Sequence, residues 1–123
     1  MRFIGLLVFA LAVPATWAQT KEKDAAAIDG LVSAMKTLAQ ANTSCAKATD
    51  CLALEYGHRP CGGPEGFVVT SAQNKNLEEL RYLGGRTRVR KQEFNKAHAQ
   101  GSICAIEEAP PLVCEARACV PKR

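Results

Sequence analysis

No run of this sequence is long enough to cross a bilayer. The longest apolar stretch, Phe3 to Val13, has roughly eleven residues, against about 20 for a membrane-spanning helix. Aromatic residues are scarce at 6%, and the single Trp is residue 17. That leaves no platform on which single-stranded bases could stack. Sixteen Lys and Arg against twelve Asp and Glu give a formal charge of only +4. So mild an excess favours solubility and does not by itself point to nucleic acid. The chain also lacks a C-x-x-C pair and any G-K-[ST] ending that would close a phosphate loop. Histidines number only two, His58 and His98.

The N-terminus carries an export signature. Arg2 supplies the positive end, Phe3 to Val13 the apolar region, and Pro14 breaks it. Thr16 and Ala18 are small residues at the −3 and −1 positions of a cut before Gln19. A cut after Ala15 is the weaker choice. The expected organisation is a signal peptide over 1–18 and a single disulfide-rich domain over 19–123, secreted or periplasmic.

Six cysteines follow: Cys45, Cys51, Cys61, Cys104, Cys114 and Cys119. An even number in a small exported chain reads as three disulfides, because a small core benefits from covalent staples. His58 and Cys61 have an H-x-x-C spacing that suits zinc, but thiols in an oxidising compartment pair first. No metal or other cofactor is expected. Fifteen pairings are open. Cross-links between the clusters before and after residues 62–103 close large loops, worth about 4 kcal/mol each in the chain-entropy model. Such links are preferred, for instance in the order Cys45–Cys104, Cys51–Cys114 and Cys61–Cys119. Cys114 and Cys119 alternatively pair with each other across a hairpin.

Two helices are expected. In 24–41, Ile28, Leu31, Val32, Met35, Leu38 and Ala39 recur on one helical face, with Thr20 or Asp24 as cap. In 71–101, Leu77, Leu80, Leu83, Thr87, Phe94 and Ala97 form a second seam that keeps its phase across Gly84-Gly85. That agreement favours one long, bent helix over two short ones. Its basic run, Arg86, Arg88, Arg90 and Lys91, reads first as a solvated face and second as a docking patch for an acidic partner. In "RPCGGPEGFVVT", Gly62 and Gly63 permit positive φ and Pro60 and Pro64 fix the chain, so that Phe67 to Thr70 enter a sheet from a pinned corner. The tail reads as strands at 103–106, 112–115 and 118–120, the last two flanking Ala116-Arg117 at hairpin spacing. The fold class is therefore α+β: a small disulfide-stapled domain with an N-terminal helix, a long second helix and a small antiparallel sheet.

"CAKATDCLALEYGHRPCGGPEGFVV", the charged helix and "ICAIEEAPPLVCEARACVP" together resemble a group of small secreted bacterial six-cysteine proteins, largely uncharacterised. They share a Cys-Gly-Gly-Pro motif ahead of a strand and a paired-cysteine tail. The resemblance spans residues 45 to 121. It implies export and a bacterial source and brings no catalytic residues with it. Gly84-Gly85 and Ala116-Arg117 depart from the pattern of that group.

Nothing in the residues composes a catalytic constellation. His98 is expected to be exposed, Ser71 and Ser102 have no triad-like setting, and the adjacent pairs Glu78-Glu79 and Glu107-Glu108 cannot converge on one cleft. The expected function is a non-enzymatic binding module for another exported protein, with inhibition as one form of it. Arg117 at the hairpin tip, or Arg86, Arg88 and Arg90, would supply the contacts. A structural envelope protein without a tight partner, or a small hydrolase or metal-dependent enzyme, are the alternatives. No nucleic acid partner is expected, and the oligomeric state is open.

Overall fold

The computed structural model describes residues 16–98 and 104–123, the first four of these by backbone alone. Residues 1–15 of the expected leader, and Gly101, Ser102 and Ile103, lie outside the described residues. The order of elements is helix α1 (Thr16–Gln40), a 3-10 turn at Ala48–Asp50, strands β1 (Cys51–Tyr56) and β2 (Gly66–Ser71), helix α2 (Leu77–His98), and strands β3 (Leu112–Glu115) and β4 (Ala118–Pro121). The fold is α+β. Among the described residues it has two separate two-stranded antiparallel sheets where one was expected.

β1 and β2 pair in the register Leu52↔Thr70, Leu54↔Val68 and Tyr56↔Gly66. Side chains alternate across a strand, so these even-numbered residues share one face. The two helices pack against that face. Met35 and Ala39 of α1, Val68 of β2, and Leu80 and Leu83 of α2 form the buried core, and Leu31, Leu38, Leu54, Tyr56 and Leu77 complete it. Burying each large apolar side chain contributes about 1.5–3 kcal/mol. The stripe read on α1 is thus the core face, with Ile28 buried and Val32 half-buried. α1 begins at Thr16, which puts Thr20 and Asp24 inside the helix and removes both as caps.

The C-terminal end of α1 must place carbonyls that have no intrahelical partner. Two buried side chains take them. Thr70 donates its hydroxyl towards the Ala39 carbonyl at 2.9 Å, and Asn74 donates its amide to the Leu38 carbonyl at 2.8 Å. Asn42, the first residue of an Asn-Thr-Ser sequon, accepts from the Ser44 backbone and hydroxyl through Oδ1. The turn that follows is fixed by Asp50, whose carboxylate accepts from the backbone N–H groups of Ala46 and Lys47. These two donors hold the Asp50 carboxyl below its ordinary value.

All six cysteines are paired: Cys45–Cys114, Cys51–Cys119 and Cys61–Cys104. Links between the two clusters are borne out, whereas the order 45–104, 51–114, 61–119 is not. The reason is the register of the second hairpin. Cys114 and Cys119 are direct cross-strand partners, so they share one face of it and staple together onto the start of β1. They do not bond to each other. Backbone bonds reinforce the docking, from Cys45 N–H to the Arg117 carbonyl at 3.1 Å and from Cys119 N–H to the Thr43 carbonyl at 2.8 Å.

Three further expectations change. α2 runs unbroken through Gly84 and Gly85, but its seam ends before Ala97, which is exposed. Residues 104–106 form no strand; they are exposed, in a segment tied by Cys104 to Cys61 and by Glu107 to Arg59 at 2.8 Å. His98 is not exposed: its ring lies 4.6 Å from that of Phe94 and its Nε2 sits 3.6 Å from Asp24. At the pinned corner Gly62 and Gly63 do take positive φ, 105° and 80°, and β2 follows as expected. Among the described residues no helix is long and apolar enough to cross a membrane, and three disulfides fit an oxidising compartment.

Candidate functional site: a groove between β1 and α2

The backbone register decides what lies beside β1. Ala72 N–H donates to the Asp50 carbonyl, one residue outside the β1–β2 pair. Antiparallel pairing alternates, so Leu52, Leu54 and Tyr56 exchange bonds with β2 while Cys51, Ala53 and Glu55 turn their N–H and C=O groups outward. Two contacts agree with this alternation. Gly57 N–H donates to the buried Thr87 hydroxyl of α2 at 3.0 Å, and the Glu55 carbonyl packs against Gly84. A Cβ on Gly84 would sit 2.6 Å from that carbonyl oxygen, so the helix reaches the strand edge only because residue 84 has no side chain. Thr87 in turn donates to the Gly84 carbonyl at 2.7 Å.

α2 covers the β1 edge at Glu55 and Gly57 and then leaves a groove of about 570 Å³. That size is typical of a ligand site. Ala53, Leu54, Glu55 and Gly57 form its strand side, and Leu80, Arg81, Gly84, Gly85 and Arg88 its helix side. His58, Gly63 and Pro64 close the end nearest the pinned corner. Gly85 differs from its neighbour: a Cβ there would meet nothing within 4 Å. Packing therefore does not require glycine at 85, although glycine in a helix costs about 1 kcal/mol relative to alanine.

The basic run is not one face. At 100° per residue, alternate positions fall on nearly opposite sides of a helix. Arg88 accordingly stands on the groove rim with Arg81, one heptad earlier, while Arg86 donates to the Tyr82 hydroxyl at 3.2 Å and Arg90 lies near Asp24 and Phe94. Lys91 is not simply solvated: it pairs with Glu65 at 3.3 Å and lies 4.6 Å from the centre of the Phe94 ring. Among the described residues no carboxylate is within ion-pair distance of Arg81 or Arg88.

Arg117 is exposed at the hairpin tip, where Ala116 and Arg117 have φ of 49° and 62°. Both central residues are left-handed, as in the tight turn that matches strand twist. A protease cleft takes its substrate as an extended strand, and a left-handed arginine is not extended. Ser71 is buried, and its hydroxyl accepts the Gln73 N–H at 3.1 Å.

The groove escaped sequence reading because β1 did. "CLALEY" alternates Leu52, Leu54 and Tyr56, a strand signal that the neighbouring cysteines and turn residues masked. Arg81 lies outside the conspicuous basic run and carried no signal of its own. What results is a small α+β domain stapled by three disulfides, in which part of the outer edge of β1 is open beside a cationic helix. No protein-family model, curated protein or solved structure matches the chain.

Proposed function

We propose that this is a small exported binding module that engages another exported protein, in keeping with the resemblance to secreted bacterial six-cysteine proteins. One observation carries the reading: the groove at β1 is open, cationic and set in a frame held by three disulfides. Cross-links keep such a surface in shape before a partner arrives, so little entropy is lost on docking. Arg81 and Arg88 give the partner a sign, since among the described residues no carboxylate pairs with either. Inhibition of a second protein is one outcome such docking has.

The test is retention of a partner from the native culture on immobilised protein, with Gly85→Leu as the matched control. Recovery of one exported protein in saturable amount, lost with Gly85→Leu without a fall in melting temperature, is expected. An abundant protein that retains nothing above bare matrix fits the partner-free envelope role instead and rejects the binding module.

A further inference from the structure

We propose that the outer edge of β1 takes an extended acidic peptide of the partner as an added strand, with the peptide carboxylates held by Arg81 and Arg88. This rests on the binding-module reading and gives it a docking mode and a partner chemistry.

The strand edge supplies the first part. By the alternation of β1, Ala53 presents both its N–H and its C=O outward, and Glu55 its N–H. Beyond them the edge is closed, because α2 occupies the Glu55 carbonyl and the Gly57 N–H. Ala53 and the Glu55 N–H are thus the part of the edge left open, and Glu55, Gly57 and Gly84 line the groove as well. Unpaired edges are the usual template for a further strand, and they donate and accept without regard to the side chains of the incoming chain.

Charge supplies the second part. Arg81 and Arg88 stand two turns apart on one side of α2, both exposed, both lining the groove. Among the described residues Glu55 is the single carboxylate that lines it, and Glu65 nearby is engaged by Lys91. The cations therefore exceed the anions, and an arginine fork favours a carboxylate. A free anion would satisfy the arginines and leave the backbone edge unused. An apolar strand would do the reverse. An acidic extended peptide satisfies both.

Room is the third part. With a side chain at residue 85, the space between the two arginines would narrow, whereas glycine leaves bare helix backbone there.

The experiment uses the oxidised full-length exported protein and a labelled eight-residue peptide of alternating Val and Glu. Its controls are the Val/Lys analogue, the Val/Glu peptide N-methylated on alternate residues along either edge, and polyphosphate. Binding is read by fluorescence anisotropy at low salt and by amide shifts at Ala53 and Glu55. Val/Glu should bind at least about tenfold tighter than Val/Lys, and N-methylation along one edge should cost at least about tenfold. Arg81→Glu with Arg88→Glu should reverse the charge preference, and Gly85→Leu should weaken binding without lowering the melting temperature. Equal affinity for Val/Lys, indifference to N-methylation, or matching competition by polyphosphate would overturn the proposal in favour of a plain anion site. Edge occupation by a second copy, seen as concentration-dependent dimerisation that the peptide does not displace, would overturn it too. A native partner retained equally well by Gly85→Leu leaves the binding module standing and removes only this groove.

Discussion

In the β1–β2 hairpin, Leu54, Tyr56 and Val68 lie beneath two helices and pack with Met35, Leu80 and Leu83. In the β3–β4 hairpin only Cys119 is buried, and the strands are fastened by Cys45–Cys114, Cys51–Cys119 and backbone bonds to residues 43–45. The first hairpin exists because burying apolar area there outweighs the entropy of ordering it. The second has too little area to do so, and an isolated two-stranded hairpin is marginal in water. Covalent attachment replaces burial. It also tolerates an unfavourable turn, with two side-chain-bearing residues in a left-handed conformation that costs about 1–2 kcal/mol each.

The contrast can be broken from either side. Removing both hairpin staples, with Cys45, Cys51, Cys114 and Cys119 all changed to Ala, should have the largest effect, because one native disulfide typically contributes about 2–5 kcal/mol. Hydrogen exchange should show β3–β4 unprotected while Leu54 and Val68 keep protection above the level of the loops. Equal loss in both hairpins would mean that the staples hold the core as well. Leu80→Ala should come next, at about 2–5 kcal/mol, since the residue is fully buried at the centre of the cluster. Here urea unfolding should lose midpoint for the whole molecule, with the disulfides intact.

Adjacent glycines sharpen the comparison on a smaller scale. Gly84→Ala forces a Cβ against the Glu55 carbonyl and should destabilise by about 1–3 kcal/mol. Gly85→Ala meets open space and should stabilise by about 0.5–1 kcal/mol. Thermal unfolding of the two variants should therefore move in opposite directions. A stabilisation of similar size is expected at the hairpin tip. Replacing Ala116 with Asn and Arg117 with Gly suits the tight turn and should add about 1 kcal/mol, detectable as slower exchange of the β3–β4 amides. No gain there would indicate that the staples already absorb the strain.

Legibility in the sequence followed the length of each periodic signal. The face of α1, the seam of α2 and the hairpin around Ala116-Arg117 were all readable, because each repeats its pattern or carries its spacing locally. β1 was readable in principle and overlooked, since six residues between cysteine turns give only three alternating apolar positions. The sheet-side half of the candidate groove went with it. The basic run is visible as a run, and its division between two sides of α2 follows from the 100° step of a helix.

The amino-acid sequence by itself determined the α+β class, the disulfide-stapled character and the place where the chain turns into β2. These depend on local backbone preference and on the count of cysteines. Only the tertiary structure decided which cysteines meet, that Gly84 is a contact and Gly85 a gap, and that the side of α2 carrying Arg81 and Arg88 faces the edge of β1. Each of those is a relation between residues far apart in the chain or on different elements. It is set by how α2 crosses β1 and how the second hairpin lies on the first, and no local pattern encodes that crossing.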